Sequence, residues 1–287
     1  MHQKPLDWKR DLDENWYWYL TGEHKNGYSK RYGLIVKLQD IFANVLPGAP
    51  RCAECNLPMA GISSWVIGSR PSTYSPRLCN LCERALRNHE AGAEVELSML
   101  FADVRGSTGL AQNTSTDEFK RLIQQFYRVV TGILVRDNAM VNRLMGDQVI
   151  GLFVPRFAGP GHARVAVDAA REILGATGHA DRQGPWIPVG IGIHTGMAYV
   201  GTVGTATGVN EIAVLGSAPN LAARLSAHAA DGEVMVSEAA AAAAQLDDQN
   251  TKSRQLDLKG IDQPVAVRVL CDAFVRGQPG QSKAEMA

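Results

Sequence analysis

The 287-residue chain is 45% apolar and 20% charged, a composition that excludes a disordered polymer and suits one large domain plus a small one. Its 29 basic and 29 acidic residues cancel, so nothing in the global charge recruits nucleic acid or an anionic membrane. No run approaches the ~20 apolar residues of a membrane span, and Met1 to Arg10 is charged rather than leader-like, which predicts a cytoplasmic protein.

Residues 1–46 are rich in Trp, Tyr and Lys. They end in the periodic run Tyr32, Leu34, Ile35, Leu38, Ile41, Phe42, which predicts a helix that either supports a dimer or caps its own domain's core. Residues 47–90 read as loop, with too little apolar content for a core of their own. They carry Cys52-x2-Cys55 and Cys79-x2-Cys82, the spacing of a four-thiolate tetrahedral zinc site in which each pair forms a knuckle. Four thiolates leave no open coordination position, so the expected role of this Zn²⁺ is structural. Cys271 stands alone in an apolar run and reads as core.

A larger region, 94–275, follows. Val95 to Ala102 alternates as a strand, a Gly/Ser/Thr turn covers Gly106 to Gly109, and Ser115 with Glu118 forms a capping box. The helix it opens places Phe119, Leu122, Ile123, Phe126, Val130 and Ile133 on one face. Strands at Met140–Leu144 and Gln148–Val154, a helix at His162–Leu174, and a strand pair at Val189–His194 and Ala198–Val203 complete the pattern. This order predicts an α+β, ferredoxin-like βαββαβ domain. The polar tail, 276–287, is expected to be disordered.

Two aspartates end strands, Asp103 in Phe101-Ala-Asp-Val-Arg-Gly-Ser-Thr108 and Asp147 in Met145-Gly-Asp147. In the predicted order the first strand lies beside the following hairpin, so the two carboxylates converge on a site for Mg²⁺ or Mn²⁺ that also holds phosphate oxygens. Gly106 and Gly109 permit close backbone approach, and the amides and hydroxyls of Ser107 and Thr108 can face an anion.

With these motifs stand Gly190-Ile-Gly-Ile-His-Thr-Gly196, Val200-Gly-Thr-Val-Gly204, Leu215-Gly-Ser-Ala-Pro-Asn-Leu-Ala-Ala-Arg-Leu225, Gly232-Glu-Val-Met-Val-Ser-Glu238 and Leu258-Lys-Gly260. Together they resemble the class III adenylate/guanylate cyclase homology domain over about Val95 to Leu270. The resemblance implies two metal ions per active site on Asp103 and Asp147. It implies that Asn220 and Arg224 orient the ribose and stabilise charge on the α-phosphate. It further implies a head-to-tail homodimer in which Asn220 and Arg224 of one chain complete the partner's site. The cysteine pairs resemble a segment found upstream of some bacterial cyclase domains.

Base recognition departs from the family pattern. Where adenylate cyclases carry a lysine this chain has Arg143, and where they carry Asp or Thr it has Ala213. Arginine only donates hydrogen bonds and alanine removes a side-chain acceptor, so adenine selectivity does not follow from these residues. ATP remains the first expectation on family frequency, with a pyrimidine triphosphate as the alternative. A basic residue that some members use for the terminal phosphates is missing near Ala206, leaving Lys259 as the candidate. His194 closes a core strand and is read as packed rather than as a base. Two other readings stay open: a catalytically silent nucleotide-binding homologue, and a zinc-ribbon nucleic-acid binder that the neutral charge disfavours.

Overall fold

Strand β1 (Gly92–Val104) carries large apolar side chains on both faces, and hydrogen-bonded neighbours flank both edges. The computed structural model describes residues 8–23, 46–72, 75–87, 90–204, 210–247, 251–258, 260 and 263–270, without the side chains of 8–12 and 143–145. One edge of β1 pairs antiparallel with β3 (Gln148–Phe153), the return strand of the hairpin begun by β2 (Met140–Met145). The other pairs with β4 (Val189–Gly204) from Gly92↔Gly201 to Val104↔Val189. β5 (Asn210–Leu215), β6 (Val234–Ser237), β7 (Lys252–Leu256) and β8 (Val265–Leu270) extend the sheet to β2-β3-β1-β4-β6-β8-β7, with β5 folded back on the second half of β4. The β2-β3-β1-β4 half has the ferredoxin-like order expected from sequence.

Alternation along β1 sends Leu100, Ala102 and Val104 to one face and Val95, Leu97, Met99 and Phe101 to the other. The even face is covered by α5 (Thr116–Arg136) and α7 (His162–Ala176), through residues such as Phe126, Leu134, Ala170 and Ile173. Helix α5 begins where the Ser115 hydroxyl accepts from the Glu118 amide at 3.3 Å, as the capping pattern predicts. On the odd face lie α1 (Trp8–Thr21), α8 (Ser217–His228) and the cysteine segment, whose Cys52, Met59 and Leu78 join Trp16, Tyr19 and Leu20 in one core.

Arg156, in the short α6 (Pro155–Ala158), ties these pieces together. Its guanidinium lies 3.5 Å over the Trp18 ring, donates to the carbonyls of Trp18 (3.2 Å) and Ala53 (2.6 Å), and pairs with Glu54 at 3.2 Å. One cation thus spans α1, the first cysteine knuckle and the end of the β2–β3 hairpin.

The structure corrects two expectations. The strand pair at Val189–His194 and Ala198–Val203 is a single strand, because Thr195 and Gly196 stay in register with Ser98 and Leu97. Gly196 punctuates nothing: a Cβ there would lie 2.8 Å from the His194 ring, so the glycine serves close packing within the strand. The turn at Gly106–Gly109 is one left-handed residue, Gly106 at φ 64°, followed at once by α4 (Ser107–Asn113). Helix α1 forms at 8–21, where the sequence reading placed no element. The periodic run at 32–42, Cys271 and the tail lie outside the described residues.

Gly192 marks where α8 presses on β4. A Cβ there would sit 2.5 Å from the Ala222 carbonyl oxygen and 2.8 Å from the Leu225 carbonyl carbon, whereas one at Gly132 on α5 meets nothing. Gly192→Ala therefore lowers stability by about 1–3 kcal/mol through overpacking, and Gly132→Ala raises it by about 0.5–1 kcal/mol through helix propensity. Urea midpoints of the two variants check both signs.

Candidate active site and cysteine cluster

Asp103 pairs with Gln148 near the end of β1, and the Val104 amide donates to the Asp147 carbonyl at 3.1 Å. Antiparallel pairing thus brings the two aspartates to neighbouring positions, although 43 intervening residues separate them in the chain. Asp147 follows Gly146, whose φ of 60° makes the tight β2–β3 turn. The Tyr127 hydroxyl of α5 pins that turn by donating to the Gly146 carbonyl at 2.5 Å. Burial, and then the Asp147 charge, push the Tyr127 phenol upward in pKa, so it remains a donor.

Both carboxylates already have polar partners. Ser107 donates its hydroxyl to Asp147, and Arg105 forms an ion pair with Asp103. The Ser107 hydroxyl, expected from sequence to face an anion, donates to the Asp147 carboxylate. Arg105 reaches further: its Nη1 donates to the Ala227 and Ala229 carbonyls at 3.1 and 3.4 Å, at the C-terminal end of α8. Burial lowers its pKa, with Asp147 and Asp231 acting in the opposite direction. Sequence reasoning missed both Arg105 and Tyr127. The first sits inside the motif, between Asp103 and Gly106; the second is 19 residues from its partner and carries no local signal.

A cleft of about 680 Å³ opens between α4, α5 and the Gly146–Asp147 turn, lined in part by Ser107, Thr108, Lys120, Tyr127 and Asp147. Asn220 and Arg224 do not line it. They sit on α8, Asn220 exposed and Arg224 half-buried, one helical turn apart on one face. A Cβ on Gly260 would lie 3.7 and 3.8 Å from the Arg224 guanidinium nitrogens, which places that group beside Gly260. Lys259 itself and the side chain of Arg143 lie outside the described residues. The Arg143 backbone pairs with Ile150 on β2, whereas Ala213 pairs with Gly201 on β5, so β3, β1 and β4 separate the two base-facing candidates.

The donor set at Asp103 and Asp147, hard carboxylate oxygens at neighbouring positions, suits Mg²⁺ or Mn²⁺. Cys52, Cys55, Cys79 and Cys82 form a second donor set, with all four sulfurs within 4.8 Å of one another and Cys55 and Cys79 3.6 Å apart. A tetrahedral S₄ shell at ~2.3 Å from zinc spaces its sulfurs by about 3.8 Å, so the cluster has the right size. Amides of Cys79 and Cys82 donate to the sulfurs of Cys52 (3.2 Å) and Cys79 (3.4 Å), as in a thiolate knuckle. Hydrogen bonds from Cys52, Cys55 and Cys82 hold the Cys79 thiol well below its ordinary pKa, and donating to neighbouring sulfurs pushes Cys55 and Cys82 up. Cys52, Cys55 and Cys79 pack into the core on the odd face of β1, with Val95, Leu97 and Met99.

His194 is packed, as expected from sequence. Its Nδ1 shares a 2.7 Å hydrogen bond with the Ser237 hydroxyl. His162 shares one of 2.9 Å with Ser98, which is bonded to Thr195 at 2.6 Å in the middle of the sheet.

A family model described as the adenylate and guanylate cyclase catalytic domain matches residues 90–269. An uncharacterized protein of Mycobacterium tuberculosis is 31% identical over 186 residues, covering 62% of this chain and 33% of that one. An adenylate cyclase of Anabaena cylindrica is 26% identical over 156 residues, covering 50% and 30%. The chain thus spans about a third of the length of these curated relatives. Among solved structures, the guanylyl cyclase Cya2 superposes with a TM-score of 0.56 at 22% identity, covering 62% of this chain and 92% of that one. The adenylyl cyclase CyaB from P. aeruginosa gives 0.53 at 22%, covering 62% and 95%.

Burial lowers the pKa of both His162 and His194, with Glu96 opposing the shift at His162. The unfolded chain therefore binds protons that the fold refuses. Stability is complete above the unfolded histidine pKa of about 6.5 and falls as pH drops through it. Urea midpoints between pH 7.5 and 5.5 decline, and the decline is shallower in a His162→Gln, His194→Gln double variant.

Proposed function

The chain belongs to the adenylate and guanylate cyclase catalytic domain family, and we propose that it closes a nucleoside triphosphate into its 3′,5′-cyclic monophosphate. The observation that carries this reading is the register of β1 against the β2–β3 hairpin, which sets Asp103 and Asp147 side by side beside the α4 start. Metal ions bound there would activate the ribose 3′-hydroxyl and neutralise the triphosphate. The 3′-oxygen attacks the α-phosphorus, the bond to the β-phosphate bridging oxygen breaks, and pyrophosphate leaves.

The chain's own residues position and neutralise. Asp103 and Asp147 would hold two ions, and Gly106, Ser107 and Thr108 would line the path of the phosphates. Asn220 and Arg224 orient the ribose and stabilise charge gathering on the α-phosphate. Because these last two sit on α8 and not in the cleft beside Asp147, they act on the site of a second copy in a homodimer with two composite sites. ATP is the default substrate. Arg143 and Ala213 leave a pyrimidine triphosphate as the alternative, and Lys259 is the candidate for the terminal phosphates. In this reading the cysteine cluster holds a structural Zn²⁺, supported by its sulfur spacing and by the place of Cys52, Cys55 and Cys79 in the odd-face core.

Incubation with ATP, GTP, CTP and UTP and Mn²⁺ or Mg²⁺, read by mass spectrometry, yields one dominant cyclic product. Asp103→Ala and Asp147→Ala each reduce it by about 10³-fold. If no triphosphate is cyclised with either metal, a silent nucleotide-binding homologue is the better description. An equimolar mixture of inactive Asp147→Ala and inactive Arg224→Ala chains regains about a quarter of wild-type turnover, since half the dimers carry one intact site. A mixture that stays inactive argues against composite sites.

Native mass spectrometry finds one Zn²⁺ per chain. Cys79→Ser loses it and melts at a lower temperature.

A further inference from the structure

The short helix α2 (Ile62–Ile67), between the two cysteine pairs, is inside out. Its polar Ser63 and Ser64 are buried at 8% and 9% exposure, while Ile62, Trp65 and Val66 are 83%, 85% and 71% exposed. The spacing i, i+3, i+4 puts those three large apolar side chains on one face. Water ordinarily selects the opposite orientation, and single exposed apolar residues need no explanation, but three on one helix face do.

Covalent and polar ties fix this orientation. Gly61 precedes the helix at φ 86° and Gly68 caps it in the left-handed region at φ 76°, its amide donating to Ser64. The Ser64 hydroxyl donates back to the Gly61 carbonyl at 2.8 Å, and Ser69 donates to Pro58 beside the first knuckle. Asn80 donates to the Gly68 carbonyl at 3.2 Å and accepts from the Arg70 amide at 2.8 Å, which joins the helix to the second pair. The cysteine cluster therefore presents a rigid apolar tip.

We propose that this tip is a membrane-surface anchor, inserting Ile62, Trp65 and Val66 at the boundary between headgroups and acyl chains of an anionic bilayer. Three observations favour lipid. Between Cys55 and Cys79 the charged side chains are Arg70 and Arg77 and no Asp or Glu is present, so this stretch complements anionic headgroups although the whole chain is neutral. A tryptophan flanked by aliphatic residues matches the half-apolar, half-polar character of the interface. Three side chains also fall far short of the ~800 Å² per partner that a stable protein contact buries, whereas a bilayer needs no complementary shape. No helix among the described residues is long and apolar enough to cross a membrane, so attachment through this tip is peripheral.

Co-sedimentation of the full zinc-loaded chain with sucrose-loaded vesicles tests this. Wild type binds phosphatidylcholine vesicles containing 30% phosphatidylglycerol at low salt, and binds pure phosphatidylcholine less. Trp65→Ala and Ile62→Ser lower the partition coefficient by about tenfold or more, and Arg70→Glu removes the preference for anionic vesicles. All three keep wild-type zinc content and melting temperature, since the altered side chains are exposed. Wild type that fails to bind either vesicle overturns the proposal, as does Trp65→Ala that binds equally well. A fall in oligomeric mass in Trp65→Ala, without vesicle binding by wild type, makes the face a protein contact instead. None of these readouts depends on turnover, so the cyclase reading stands or falls separately.

Discussion

Everything in this protein is hung on β1. Ladder bonds run along both of its edges, and side chains from opposite layers bury both of its faces, so β1 is at once the centre of the sheet and the shared wall of two cores. Its last residues fix Asp103 against the β2–β3 turn; its odd face receives α1 and the cysteine segment. Nothing at either end can move far without disturbing a strand held on four sides.

That constraint gives Asp103 and Asp147 their setting. Asp147 owes its position to a left-handed Gly146, to Tyr127 from α5 and to the Val104 amide, all anchored in elements that β1 organises. Arg105 adds a connection that pairing alone does not supply. It joins Asp103 to the carbonyl end of the helix whose other end carries Asn220. A guanidinium suits this role because its planar fork serves a carboxylate and two carbonyls at once.

Local chemistry made much of this legible in the sequence. Alternation exposed β1, the Ser115–Glu118 cap exposed α5, and the paired CxxC spacing anticipated four sulfurs that do converge. The continuity of β4 was hidden because Thr195-Gly196 reads as punctuation, although that glycine only makes room beside His194. Arg105 and Tyr127 were invisible because their partners are set by tertiary packing. Helix α2 was hidden too, since the segment between the cysteine pairs reads as loop, and no local pattern announces a helix whose apolar face turns outward. Ser63 and Ser64 face inward there because the cysteine knuckles and their capping glycines orient the segment.

The family's boundary near residue 90 is not a boundary of the core. Val95, Leu97 and Met99 on the odd face of β1 are covered in part by Trp16, Tyr19, Met59 and Leu78, all upstream of it. A catalytic fragment cut at that point would expose a broad greasy surface beside a long strand and would tend to self-associate. For this chain the smallest well-behaved unit for biochemistry begins at α1, and the segment that resembles an accessory is part of the scaffold.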